Sequence, residues 1–438
     1  MKKILFILAC VLPLISCNDN ITEVPRYDIQ KEFEILSSEI ELNTLLSRGD
    51  EGIVDWELSK EFAQMALESF IEDGDYPATS ELWNFPIGIY DDDGKIRYYE
   101  FRVIDNGNVI AAITCNAREE LGGPLSYIFN MNGYMDTLTQ LYNSGAVTDS
   151  KTLRIVDNAY PSYAVAFVEQ TRSGDIAFNA FIDPVTGNTL DNVTKVLTIE
   201  ETFETYPKLY TSEEQNAAKV EIAAFQEEIK ELWKSAKANK GSLTFRGKSK
   251  KIRTEVDTSK INYAIKEASL RTTKENSSTP ISYGACGATA SGFILDYLLY
   301  NNIGTVATEW KNTHDLDKQK NMLRDALGIA SGSNITWPEK LQGAISKYSN
   351  YTLSATSFWP TISINNNIPG INLRSLKCTS LKDLSGGFHY RNVIGYKEEG
   401  WWIFKWQYIK IIDGNNIDAG WEAYIPLYHL KSWNVVKK

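Results

Sequence analysis

The chain has 438 residues, of which 43% are apolar and 12% aromatic, enough for two or three domains around a large core. Its net charge of −11 argues against a nucleic-acid binder, because the composition leaves no basic surface. With three histidines in all and no Cys/His spacing suited to zinc, no metal and no cofactor is expected.

In chain order, Lys2-Lys3 precede an apolar run from Ile4 to Ile15 that ends Leu14-Ile15-Ser16-Cys17. A basic start, a short apolar core and small residues make an export signal. The run is shorter than the roughly 20 residues of a membrane span. Its ending resembles the bacterial lipoprotein signal, in which the cysteine is lipidated, here Cys17; an ordinary cleaved signal is the alternative. The resemblance implies residues 1–17 as signal, a lipid anchor on the membrane, and a place in the bacterial cell envelope as an outer-membrane lipoprotein.

The first helix signal is Trp56 to Ile71, where Phe62, Met65, Ala66, Ser69 and Phe70 follow helical spacing. Strand-like runs follow at 86–90, 98–104 and 109–114, separated by Asp91-Asp92-Asp93-Gly94 and Asp105-Asn106-Gly107-Asn108. Asn-Gly between two apolar runs is a hairpin signal. Further strands are expected at 153–156, 163–169 and 176–182. Glu213 to Ala238 reads as a long helix with an imperfect stripe of Ala217, Val220, Ala223, Ala224, Ile229 and Trp233. Residues 24–238 are therefore an α+β region of helix and antiparallel sheet. The polar, basic stretch 239–279 reads as a linker, and exposed linkers of this composition are ready cleavage sites.

Residues 280–438 form the second domain. Tyr283-Gly284-Ala285-Cys286-Gly287-Ala288-Thr289-Ala290 opens a helix with Ala290, Phe293, Ile294, Tyr297 and Leu298 on one face. Helices around 317–328 and 337–348 follow, then strands at 389–396, 406–413 and 422–426. Five cysteines are present; Cys10 leaves with the signal and Cys17 takes the lipid, leaving Cys115, Cys286 and Cys378. An odd number implies a free thiol. A Cys115–Cys378 bridge would tie the two halves together and is not favoured.

A cysteine at a helix N-terminus meets the positive end of the helix dipole, which favours a thiolate. His389, after Gly386-Gly387-Phe388, is the candidate base; it would take the thiol proton and return it to a leaving amine. Taken singly, Cys286 reads as a buried small hydrophobe and His389 as a strand residue; the combination carries the chemistry. His314 and His429 are weaker candidates. Asp413 is chosen to orient the imidazole, with Asn415 or Asn416 as substitutes. If the chain turns tightly at 397–400, His389 faces Tyr408. Facing Asp413 requires a turn centred near Trp401, with an apolar loop over 397–405, or a bulge that shifts the register.

Cys286-Gly287-Ala288-Thr289-Ala290 is similar to the Cys-Val-Ala-Thr-Ala of streptopain-type cysteine peptidases, and Gly386-Gly387-Phe388-His389 resembles their Gly-Gly-His. Asp413-Gly414 falls where that family has Asn-Trp, and Gly420-Trp421-Glu422-Ala423 on its Gly-Phe-Phe-Arg strand. The resemblance implies an α+β, papain-like catalytic domain over 280–438 and, for 24–238, a prodomain that inhibits it. It also implies a zymogen that hydrolyses protein or peptide substrates through Cys286, His389 and Asp413. The departures are the missing Asn-Trp pair, an extra residue before His389, and no glutamine shortly before Cys286 to complete an oxyanion hole, Asn276 being the nearest amide. They leave open an inactive papain-like lipoprotein that binds peptide or a partner. Acyl transfer of the transglutaminase type uses the same residue set and is a third reading.

Overall fold

The computed structural model describes residues 52–130, 153–158, 163–170, 176–182, 189–190, 193–207, 210–247, 250–257, 285–313, 316–328, 338–356, 360–378, 386–401, 404–413, 416–423 and 431–438. Cys17 with the rest of the expected signal, His314, His429 and Asn276 lie outside them.

Helix α1 (Trp56–Glu72) starts where Asp55 caps it, its carboxylate accepting from the Glu57 amide at 2.9 Å. It buries the expected face, Phe62, Met65, Ala66 and Phe70. It lies on a meander of β1 (Glu81–Leu82), β2 (Ile87–Tyr90), β3 (Ile96–Asp105), β4 (Asn108–Asn116) and β5 (Leu125–Asn130). The β3–β4 turn is the expected one: Asn106 and Gly107 have φ of 50° and 77°, the double positive φ that matches strand twist. Next come β6 (Leu153–Asp157), β7 (Tyr163–Gln170), β8 (Ile176–Ile182), β9 (Thr189–Leu190) and β10 (Thr194–Val196). The sheet is not wholly antiparallel as expected, since β2 and β6 pair in parallel through Ile89↔Ile155 and Tyr90↔Val156.

Helices α2 (Ile199–Thr205) and α3 (Ser212–Ala238) both start with a capping box, Thr198 with Glu201 and Thr211 with Glu214. The buried stripe of α3 is Ile222, Ile229, Leu232, Trp233 and Ala236, and Val220 is 72% exposed. The expected stripe is thus corrected: only the C-terminal part of α3 finds a large core, where Trp233 donates to Gly122 O at 3.0 Å.

The expected linker is also corrected. Gly241 and Leu243 amides donate to the Glu61 carboxylate at 2.7 and 3.1 Å, and Lys240 reaches Glu57 at 2.8 Å. Strand β11 (Lys250–Glu255) then pairs with β14 (Gly386–Trp401) in unbroken antiparallel register. Its charges hide the strand from a composition reading. Arg253 forms a bidentate pair with Asp75 at 2.6 and 2.7 Å, and Glu255 accepts from Lys410 at 2.6 Å.

The C-terminal half holds α4 (Ala285–Tyr300), α5 (Thr308–Lys311), α6 (Leu316–Ala326) and α7 (Pro338–Tyr348). The strands are β12 (Tyr351–Thr356), β13 (Gly370–Cys378), β14, β15 (Phe404–Asp413), β16 (Asn416–Ala423) and β17 (Lys431–Lys437), with the short α8 (Thr361–Asn365) before β13. Antiparallel ladders run β12–β17–β13–β14–β15–β16. The two halves share their sheet: β5 pairs with β16 and β10 with β13. The fold is α+β. Among the described residues no helix is long and apolar enough to cross a membrane.

Candidate functional site

Cys286 is the second residue of α4, half-buried and packed against the C-terminal core. The helix is placed by its apolar face, since Ala290, Phe293, Ile294, Tyr297 and Leu298 are all buried as their spacing requires. Three polar ties fix it further. Trp310 donates to Asp296 at 2.9 Å, Tyr297 to Asn367 O at 2.8 Å, and Asn392 of β14 to Ala290 O at 3.1 Å.

These ties set α4 against β14. Ala290 is level with Asn392. The far end, at Tyr297, is level with Asn367, whose side chain accepts from Asp257 just after Val256 bonds Ile394 O. Helix and strand are therefore packed side by side. One turn back from Ala290 is Cys286, and three residues back from Asn392 is His389. The bond at Ala290 thus ties the first turns of α4 to the strand that carries His389.

The β13–β14 ladder is regular from Lys377↔Gly386 to Gly370↔Val393, so its side chains alternate strictly. Tyr390 and Asn392 leave on the side that meets α4. His389, half-buried, leaves on the other side, directly opposite Arg374 and two positions from Arg391. The ladder therefore sets His389 on the face of β14 away from α4, the helix that carries Cys286.

The β14–β15 hairpin resolves the register question. Trp401 pairs with Phe404, so residues 397–401 are strand, not the expected apolar loop. A bulge between Val393 and Gly395 shifts the ladder as well. The hairpin closes near Trp401 and a bulge is present, yet the expected facing of His389 and Asp413 is corrected, because Arg391 stands opposite Asp413. Asn392 pairs with Ile412, which sets the Asp413 backbone level with Arg391 and diagonal to His389 on the neighbouring strand. Asp413 closes β15 and pairs with Asn416 at the turn into β16.

An ion cluster that the sequence reading missed sits beside His389. Glu422 of β16 takes both Arg374 and Arg391, and Arg391 also donates to Asn372 at 2.7 Å. The Arg374 guanidinium lies 5.3 Å from the Tyr127 ring of β5. Burial and the neighbouring Arg391 push the Arg374 guanidinium below its usual range, and Glu422 pulls against them. The available signal was an acid in an otherwise apolar strand, Trp421-Glu422-Ala423, since a buried acid needs a cation.

Cys115 is a free thiol, so the Cys115–Cys378 bridge does not form. It is fully buried and donates to Ser59 O at 3.3 Å, and burial pushes its thiol well above the usual range. The Cys378 backbone ends β13 opposite Thr194 of β10. Among the described residues no group of His, Cys, Asp and Glu is arranged to hold a metal ion. The chain matches no protein-family model and no curated protein.

Proposed function

We propose that this chain is a papain-like cysteine peptidase of the cell envelope, anchored by lipid on Cys17 and made as a zymogen. The observation that supports the reading is the Asn392–Ala290 bond, which ties the first turns of the helix that carries Cys286 to the strand that carries His389. In the reaction the Cys286 sulfur attacks the peptide carbonyl, and His389 takes the thiol proton and passes it to the leaving amine. Water then releases the acyl group, with Asp413 steadying the ring. A cut within 239–279 is the activating event.

The test is Cys286→Ala in the purified protein, together with a thiol-directed peptide probe on the unmodified chain. Loss of substrate cleavage and of self-processing, with stoichiometric labelling at Cys286 faster than at Cys378, supports the peptidase. Unchanged processing in the pure variant rejects it.

One observation favours a second reading, a papain-like binding module without catalysis. Arg374 and Arg391 both pair with Glu422 and stand on the side from which His389 leaves the ladder. Guanidinium charge on that side disfavours an imidazolium, the form that a thiolate partner needs. Equal and sluggish labelling of Cys286 and Cys378 selects this reading.

A further inference from the structure

A detachable inhibitory domain has a core of its own and a wet, mainly polar contact with the body it inhibits. The N-terminal half meets the C-terminal sheet differently. Phe62 and Phe70 of α1 pack on Trp406, Tyr408 and Trp421 of β15 and β16, with ring centroids 6.1 to 6.3 Å apart, and these residues belong to one continuous apolar core. Beside them, the side chains of Asp73, Lys397 and Glu399 have no exposure at all. Lys397 Nζ lies 2.8 Å from Asp73 and 3.2 Å from Glu399, and it sits 3.7 Å from the centre of the Phe70 ring. Ser69 donates to Glu399 at 2.9 Å.

Asp73, Ser69 and Phe70 come from the N-terminal half; Lys397 and Glu399 come from β14. If the halves parted, each would carry charges and large aromatic rings that the other now covers. At two further places the contact is a backbone ladder. Trp421 and Glu422 pair with Ile128 and Tyr127, and residues 194–196 pair with 376–378. Unpaired, these strands would present open edges.

We propose that the N-terminal half is a permanent part of the C-terminal fold, so that cutting the chain between Arg246 and Gly247 leaves a two-fragment complex and releases nothing. Arg246 is exposed and Gly247 has φ +81°, so the cut falls in irregular chain between Glu61's clasp and strand β11. Activation by a cut in this region then proceeds without departure of the N-terminal half. The inference holds whether or not Cys286 is a nucleophile, so its failure and that of the peptidase reading are separate events.

The experiment inserts a site for a sequence-specific protease between Arg246 and Gly247 in the full chain carrying Cys286→Ala, which prevents self-cleavage. After digestion both fragments are expected in one peak on native gel filtration, parting only in denaturant. Two native peaks, or a C-terminal fragment that elutes alone in folded form, overturn the proposal. Should the insertion block folding, limited trypsin cleavage at exposed Arg246 of the uninserted chain gives the same readout. The nicked protein with Lys397→Met is expected to come apart under native conditions. If that variant does not fold before cutting, nicked Ser69→Ala is used, with separation expected at lower urea than for the nicked parent. Fragments as firmly held as the parent's would reject the role given to the ion network.

Discussion

Strand β14 has two halves divided by its bulge, and they are held by different physics. From Gly395 to Trp401 the strand pairs with β11 and β15, and two of its residues, Lys397 and Glu399, are buried ions that meet Asp73 and Ser69 of the N-terminal half. From Gly386 to Val393 it pairs with β13, and it meets α4 through the C-terminal apolar core and the Asn392 bond. A buried ion network tolerates one arrangement and penalises the rest, so the first half fixes how α1 docks. An apolar contact with one hydrogen bond is more tolerant, and there the candidate thiol sits.

The largest expected effect is that of Lys397→Met. It removes the cation between two buried carboxylates, which leaves uncompensated charge and costs about 3–5 kcal/mol. Urea unfolding measures it. A loss below about 1 kcal/mol would mean that the network does not hold the halves, and the contrast between the two ends of β14 would collapse. Replacing Lys397 and Glu399 together by apolar residues should recover much of the loss, because Asp73 keeps Lys251 and Arg253.

The bulge is the second place to press. A Cβ on Gly395 would come 3.0 Å from Glu255 Cγ, 3.1 Å from Thr254 O and 3.2 Å from Lys410 Cβ. Thr254 O is backbone and cannot swing aside, so Gly395→Ala should cost about 1–3 kcal/mol by overpacking. The loss should appear at both ends of the strand, as faster amide hydrogen exchange in β11 and in the β13–β14 ladder. An effect confined to one end would show that the bulge separates the two halves more fully than their shared ladder implies.

What was legible in the sequence follows the same division. Where one periodicity and one burial demand act alone, the residues announced the structure. The α1 face, the α4 face and the Asn106-Gly107 turn all stand where spacing and turn chemistry put them. Where charge is buried, the sequence misled. Lys250-Lys251-Ile252-Arg253-Thr254-Glu255 has the composition of a linker, yet it is a strand because Asp73, Asp75 and Lys410 neutralise its charges. Val220 looked like a core position because α3 was taken to have one face along its whole length, whereas the large core reaches only its C-terminal part. The Thr211 to Glu214 and Thr198 to Glu201 spacings were readable helix starts and went unused. Helix entry put Cys286 in the first turn of α4 as expected, but the position of Asp413 opposite Arg391 depended on the Trp401–Phe404 pairing and a bulge at 393–395, and no local signal fixes both.

The smallest effect is expected at the other end of β14. Asn392→Ala deletes the bond to Ala290 O, and because that carbonyl lies within α4 the loss is one supplementary bond, about 0.5–1.5 kcal/mol. Its consequence for chemistry should exceed its consequence for stability. The bond is a polar tie between β14 and the first turns of α4, so under the peptidase reading its removal lets the Cys286 end shift against His389. Misplacement of reacting groups by about 1 Å costs on the order of a hundredfold in rate. Under the peptidase reading, probe labelling at Cys286 should therefore fall far more than the melting temperature does. A variant that labels at the parent's rate would place the pairing of thiol and imidazole in other hands than Asn392. One that unfolds more readily than Lys397→Met would reverse the ranking of the two ends.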